Sequence, residues 1–457
     1  MERDKLGSRL GFLLLSAGCA IGIGNVWKFP YMVGQNGGGI FVLIYFIFLI
    51  ALGVPIMAME FAMGRASRKS PVKLYQQLEK QGDKWHIHGF FAFLGNIILM
   101  MFYTSVTGWI LQYFVKMAKG DFATLNASGV SAEFSNMLSN PLTQIIFVAL
   151  VCILGGIVCS FNIQKSLEKI TKFMMIALLG IMVVLVINGL FLDGAKEGLK
   201  FYLVPSVSKI KEVGLFNVIT GAMSQAFFTL SIGLGSMAIF GSYIDKSRSL
   251  LGEAVNVAVL DTFVAITAGL IIFPACFTYN NGVVNSGPPL IFETLPIIFN
   301  NMPLGRLWGS LFFVFLAFAA FSTIFAVFEN IIACIMDLTN LSRRKSAVIC
   351  AIGVFILSIP CILGFNVWSG FAPFGSGSSI LDLEDFIVSN LFLPIGSLIF
   401  VIFCTWKKGW GIDNFVNEAN EGKGLKITKW MKVYMKYVLP IVLLVFIIIS
   451  LVTFFVK

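Results

Sequence analysis

A chain of 457 residues, 58% of them hydrophobic and 12% charged, with a mean hydropathy of +0.89, is far too apolar for an ordinary water-soluble protein. Its net charge of +10 could suit nucleic acid, but beside apolar runs of spanning length the Lys and Arg side chains answer first to the rule that cytoplasmic loops collect them. The composition implies a polytopic protein of the lipid bilayer and leaves no role for a nucleic-acid partner.

Residues 1–10 mix Glu2, Arg3, Asp4, Lys5 and Arg9 and lead into the first apolar run with no small-residue cleavage site, so no removable signal peptide is expected. That run, 10–33, is interrupted by Ala20-Ile21-Gly22-Ile23-Gly24-Asn25 and again by Pro30. Each interior glycine costs roughly 1 kcal/mol relative to alanine, and proline removes a backbone donor, so a break in the helix is expected. Runs follow at 39–62, 88–116, 141–159 and 168–191. The sixth, 216–240, repeats the interruption as Ser231-Ile232-Gly233-Leu234-Gly235-Ser236, and Gly233 lies 211 residues after Gly22. The remaining runs are 252–278, 304–337, 347–364, 379–405 and 431–455, giving eleven helices. Crossing ~30 Å of hydrocarbon at ~1.5 Å per residue takes about 20 residues, and 347–364 is short for it.

Two interrupted spans at matching positions in two halves point to a transporter with its site between them near mid-membrane. The competing reading, glycines that only let helices pack closely, explains one such run better than a matched pair. The 211-residue shift sets span 1 on span 6, which makes repeat one about 10–191, repeat two about 216–405 and 431–455 an extra helix, all in one transmembrane domain at 1–457. Five spans per repeat is odd, so the second repeat enters from the opposite face. With the N-terminus cytoplasmic, 24 of 33 Lys and Arg fall on the inner side, which sets that orientation. Residues 117–140 and 192–215 are then long polar outer loops. Residues 288–301, broken by Pro288, Pro289 and Pro296, form a re-entrant cap too short to span. The eight cysteines sit in apolar runs without a C-x-x-C pair and imply neither a metal nor a disulfide framework.

The stretch from Ser16 to Pro30 (SAGCAIGIGNVWKFP), followed by NGGG at 36–39, resembles the first-helix signature of the neurotransmitter:sodium symporters, the family of the bacterial leucine transporter. The resemblance continues in QAFFTLS at 225–231, FAAFST at 318–323 and LDLEDF at 381–386, and covers about residues 3–405. Many relatives have twelve helices, whereas this chain has eleven, as several bacterial members do.

The resemblance implies an all-α polytopic membrane protein with inverted five-helix repeats (helices 1–5 and 6–10), broken helices 1 and 6, and helix 11. It implies as function the sodium-coupled import of a neutral, hydrophobic or aromatic L-amino acid by alternating access. On the family's pattern, two sodium ions are expected. One would be held by Ala20, Asn25, Thr229, Asp261 and the substrate carboxylate. The other would be held by Gly18, Ile21, Ala319, Ser322 and Thr323. Unwound backbone supplies the carbonyl oxygens that such a hard cation takes. The carboxylate would meet the amides of Ile23 and Gly24, where a half-helix begins, and the hydroxyl of Tyr103. Its ammonium would lie against Ala20, Phe228 and Ser231. The side chain would sit among Gly22, Leu99, Val106, Phe228, Ser231, Leu234, Thr323, Ala326 and Val327, none of them charged, so a charged substrate would be costly to bury.

Lys28 and Asp385 match the family's outer gate pair, with Phe228 and Tyr103 beneath and Phe292 of the cap above. Lysine in place of the usual arginine makes no planar bidentate bridge, which implies a looser or water-bridged gate. Arg3 with Asp337, near Ser242 and Tyr243, would form the inner gate. Asp261 stands where chloride-dependent relatives carry asparagine. With Tyr45 and Gln225 beside it and Ala265 lacking a hydroxyl, it marks the equivalent of an anion site, and chloride is not expected to be needed. A sodium-independent exchanger of similar fold is the alternative and should lack the oxygen set of Asn25, Thr229, Ser322 and Thr323. No H-E-x-x-H or G-x-S-x-G occurs and the only histidines are His86 and His88, so the chain is not expected to be an enzyme.

Overall fold

The computed structural model describes residues 7–162, 166–284 and 287–455. The first span is broken as its glycines require. Helix α1, Arg9–Ala20, ends at Ile21, whose backbone is extended (φ −72°, ψ 96°), and α2, Gly24–Gln35, leaves at 53° to it. Pro30 sits where a π-helical stretch at Gly24–Lys28 passes into α-helical register, so its missing donor falls at the change of ladder. Helices α3 (Gly39–Ser67), α4 (Pro71–Leu78), α5 (Ile87–Lys119), α6 (Ala127–Ser139), α7 (Pro141–Ser160) and α8 (Leu167–Leu190) complete the first half. Short helices α9 (Ala195–Leu203) and α10 (Val207–Val213) lead into the second.

Its first span divides into α11, Leu215–Thr229, and α12, Ser236–Gly241. Between them Ser231 (φ 50°), Gly233 (φ 99°) and Gly235 (φ 71°) take left-handed backbone. At Gly233 a Cβ would also come within 2.2 Å of the Leu393 carbonyl oxygen, so only glycine lets the two backbones meet there. Then come α13 (Leu250–Tyr279), α14 (290–301), α15 (Gly305–Thr339), α16 (Arg343–Leu363), α17 (Ile380–Thr405), α18 (Ile412–Ala419) and α19 (Lys429–Val452).

Among the described residues nine helices are long and apolar enough to cross a bilayer, and the bent pair α1 and α2 makes a tenth. The divided pair α11 and α12 occupies the sixth expected span, so the eleven runs each find their helix. The segment after Pro289 forms the short α14, as its prolines required, with Pro296 tolerated in a first turn. The expected long loops are corrected. Residues 117–140 contain α6, and 192–215 contain α9 and α10; α6 and α9 set an apolar face on the bundle through Phe134, Met137 and Tyr202, while α10 buries no residue. The short ninth run lengthens to 21 residues because the helix starts back at Arg343, which pairs with Glu329 of α15. All eight cysteines are free and buried.

Candidate functional site

The two breaks lie against each other: the Ser231 hydroxyl donates to the Cys19 carbonyl at 3.1 Å. On one side of them Asn25, Thr229 and Asp261 converge, all fully buried. The Asn25 amide donates to Asp261 Oδ1 at 2.7 Å, and the Thr229 hydroxyl reaches the two carboxylate oxygens at 3.2 and 3.1 Å. Asn25 Oδ1 accepts from the Gly22 amide at 3.2 Å. Neutral oxygens and a carboxylate with no cationic side chain among the described residues form a donor set suited to a small hard cation.

A second cluster brings α1 against α15. Ser322 Oγ donates to the carbonyls of Ile21 at 3.1 Å and Ala319 at 2.8 Å, and Thr323 Oγ1 lies 3.4 Å from that of Gly18. The Ala319 contact is the back-bond of an ordinary helical serine. The Ile21 contact exists only because α1 has stopped and its last carbonyls are free to face α15.

Between the clusters lies a cavity of about 20 Å³ lined by Ala20, Gly22, Gly24, Leu99, Tyr103, Phe228, Ser231, Leu234 and Thr323. Tyr103 Oη accepts from the Ile23 amide at 2.9 Å, which sets a hydroxyl and a half-helix start side by side. Gly22 is fixed by space: a Cβ there would stand 2.4 Å from Tyr103 Oη and 2.5 Å from Thr323 Oγ1. Above the Phe228 ring, Lys28 Nζ sits 4.0 Å from its centroid, a cation–π contact. The ammonium meets both oxygens of Asp385 at 3.2 Å and Ser389 Oγ at 3.0 Å, and Ser389 itself donates to Asp385 at 2.7 Å. Around this bridge a vestibule of about 110 Å³ is walled by Trp27, Tyr31, Phe102, Val106, Leu381 and Asp382, and it shares Gly24, Tyr103 and Phe228 with the cavity.

The model of the sodium:neurotransmitter symporter family matches residues 3–132 and 123–457. A sodium-dependent transporter of Bacillus subtilis, YhdH, is 34% identical over 444 residues, 96% of this chain and 95% of its own length. The chain belongs to the sodium:neurotransmitter symporter family. A sodium-dependent transporter of Haemophilus influenzae is 32% identical over 97% of both chains, and the sodium- and chloride-dependent taurine transporter of Bos taurus is 26% identical over 96% of this chain and 77% of its own. The crystal structure of MhsT in complex with L-phenylalanine matches with a TM-score of 0.88 at 35% identity, covering 98% of this chain and 100% of that one. The fold is therefore the all-helical inverted repeat with broken helices 1 and 6, and the protein is a sodium-dependent multi-pass membrane transporter, not an enzyme.

Several residues expected at the symporter's site stand elsewhere. Ala326 and Val327 are fully buried on α15 but do not line the cavity, whose far end is closed by Cys19, Ser236, Val388 and Leu393. Val106 lines the vestibule rather than the cavity, while Ile23, whose side chain also reaches the vestibule, keeps its amide on Tyr103 Oη. Phe292 packs into an aromatic cluster, 5.3 Å from Phe134 and 4.9 Å from Tyr113, and lines neither space. Gly287 and Pro288 reach the vestibule in its place, because the prolines start α14 after them. The bridge is direct rather than loose: one ammonium spans both oxygens of Asp385 with Ser389 holding the carboxylate. Tyr45 Oη is buried against Asp261 and Thr229, and Gln225 Oε1 is buried nearby without a hydrogen-bond partner, while Gln225 Nε2 donates to the Gly24 carbonyl at 3.3 Å. Ala265, fully buried, offers only its carbonyl, to Tyr202 at 3.4 Å.

Arg3, half of the expected inner pair, lies outside the described residues. Asp337 accepts from the amide and hydroxyl of Ser70 at 2.9 and 2.6 Å. The Ser242 carbonyl accepts from Arg68 at 2.9 Å, and the Tyr243 hydroxyl donates to Glu329 at 2.6 Å. At the start of α1, Arg9 pairs with Glu253 at 3.0 Å and Glu168 accepts from the Gly7 amide at 2.8 Å.

Sequence reasoning missed Glu60. It is fully buried on α3 and accepts from the amides of Gly233 at 2.5 Å and Met237 at 3.2 Å, so it satisfies donors that the break in span 6 frees. A carboxylate inside the run 39–62 was the available signal. Asn96 supports the same break, donating to the Leu234 carbonyl at 2.8 Å and accepting from Ser236 Oγ at 3.1 Å. No signal marked Val388 or Leu393, which are ordinary apolar residues of a spanning helix.

Proposed function

We propose that this transporter is a symporter that imports a neutral, hydrophobic or aromatic L-amino acid with two sodium ions, by alternating access and without chloride. The observation that carries the reading is the convergence of Asn25, Thr229 and Asp261 on one side of a small uncharged cavity, and of Ser322 and Thr323 with free α1 carbonyls on the other. One sodium would be held in each cluster, the first with Ala20 and the second with Gly18, Ile21 and Ala319.

The substrate carboxylate would lie at the Ile23 and Gly24 amides beside Tyr103 and complete the first sodium shell, so that each ligand strengthens the other's binding. The ammonium would face the carbonyls around Ala20 and Ser231. The side chain would point toward Leu99, Leu234, Val388 and Leu393. A phenylalanine complex of MhsT, a protein of the same fold at 35% identity, supports an amino-acid substrate of this size class. Lys28 and Asp385 would form the outer gate over Phe228, with the N-terminus cytoplasmic as the Lys and Arg bias implies. A sodium-independent exchanger would have no use for two oxygen clusters flanking one cavity. The test is uptake of labelled L-phenylalanine into proteoliposomes: concentrative uptake is expected with an inward sodium gradient, and uptake equal without one overturns the coupling.

A further inference from the structure

The first turns of α17 carry three carboxylates, Asp382, Glu384 and Asp385, of which the last two face opposite ways. Asp385 looks into the vestibule and meets Lys28. Glu384, one residue earlier, is 4% exposed, and neither of its carboxylate oxygens has a hydrogen-bond partner. It is turned toward α5 and α16, where the polar groups facing it are the Cys361 thiol and, beside that thiol, Ser105. The Ser105 hydroxyl is engaged with the Met101 carbonyl at 3.2 Å. Of the other charged and titratable groups near this turn, Asp382 caps Ser379 at 2.7 Å, Asp385 is held by Lys28 and Ser389, and Tyr31 faces those two aspartates from the vestibule side. No lysine or arginine among the described residues pairs with Glu384.

An ionised carboxylate in such surroundings has lost its hydration and has only the weak Cys361 thiol donor in return, whereas the neutral acid gives up far less on burial. We propose that Glu384 is a proton-binding site, loaded from water when Lys28 and Asp385 meet and emptied to water when they part. The inference rests on the reading of that pair as a gate closing over substrate. Glu384 and Asp385 share one helical turn, and the ladder changes to π-helical register immediately after it, at Ile387–Phe392, a common feature of functional sites in helices. A movement of this turn that parts Asp385 from Lys28 carries Glu384 out of its dry contacts.

The linkage has a definite sign. Because the closed form holds the proton and the open form does not, acid favours closure. The closed-to-open ratio falls as pH rises, by up to about tenfold per pH unit, through the window between the titration of the open form and that of the closed form. Substrate binding, which favours closure, takes up a proton in that window.

The experiment is calorimetric titration of the full-length protein with L-phenylalanine in sodium-containing solution, in paired buffers of different ionisation enthalpy, from mildly acid to mildly alkaline pH. Wild type is expected to take up as much as one proton per phenylalanine bound and to bind more weakly as pH rises. Glu384→Gln, whose amide stands for the neutral acid, is expected to bind with no proton uptake and an affinity flat in pH, and Glu384→Met serves where the amide variant folds poorly. Phenylalanine binding by wild type without proton uptake, or uptake that persists in both variants, overturns the proposal. A failure of wild type to bind phenylalanine at any pH speaks against the substrate reading instead. In that case the infrared carbonyl band of a protonated carboxylic acid decides, recorded without ligand at the acid end of the range, where closure is favoured and Glu384 is loaded: its loss in Glu384→Gln supports the site, and an unchanged band overturns it.

Discussion

Replacing Asp261 by asparagine tests the charge balance of the proposed first sodium site directly. The side chain keeps its size and one oxygen toward Asn25 and Thr229, which now stand at 2.7 and 3.1 Å from a carboxylate, but the site loses one full negative charge. A unit charge about 4 Å from a cation is worth about 4 kcal/mol at an effective dielectric of about 20, which is appropriate to pairs inside proteins. At about 1.4 kcal/mol per decade that is close to a thousandfold in sodium affinity, an upper bound because the asparagine oxygen remains as a ligand. Asp261→Asn should therefore raise the sodium concentration for half-maximal phenylalanine uptake by about two to three decades. The bovine taurine relative is named as sodium- and chloride-dependent. On the proposed reading the carboxylate of Asp261 would supply the negative charge, with Tyr45 Oη buried beside it and Gln225 Oε1 buried without a hydrogen-bond partner. Adding Ala265→Ser to Asp261→Asn should make uptake rise with chloride. The assay is a sodium titration of uptake in chloride and in gluconate. A wild-type rate that collapses in gluconate, or a variant whose sodium dependence barely moves, would refute the reasoning.

Replacing sodium by potassium or choline should abolish concentrative uptake of apolar amino acids, measured in proteoliposomes at matched osmolarity; undiminished uptake sinks the symport reading. Lys28→Ala should depress transport more than equilibrium binding, because the cavity lies beneath the Lys28–Asp385 bridge, and equal loss of both would assign the pair to folding. Gly22→Ala should lose phenylalanine binding, since its Cβ would fall 2.4 Å from Tyr103 Oη; binding at wild-type affinity would show that the cavity is not the substrate site. Glu60→Ala leaves the Gly233 and Met237 amides without partners. At about 1–3 kcal/mol each, this should cost about 2–6 kcal/mol and lower the thermal unfolding midpoint, with no change in midpoint counting against the role.

Features that rest on local chemistry and on composition are legible in the amino-acid sequence. Apolar runs of spanning length set the eleven helices, and glycine beside small residues set the breaks at 21–23 and 230–235, because unpaired backbone survives in a bilayer only where protein surrounds it. The short motifs brought Asn25, Thr229, Ser322 and Thr323 to notice, and the family's pattern added Asp261; Asn25, Thr229 and Asp261 stand together, and Ser322 and Thr323 stand against the end of α1. Which face of each helix meets the cavity was settled by packing alone. Val388 and Leu393 close its end while Ala326 and Val327 do not, and in spans apolar on every side no periodicity distinguishes a lining face from a packed one. Packing also chose the partners of buried charges. Glu60 reaches across to Gly233 and Met237, Lys28 to Asp385 and Ser389, and Glu384 to no hydrogen-bonding partner. Those pairings join residues up to 361 positions apart. They depend on the angle at which broken helices pack, and nothing in the local sequence encodes that angle.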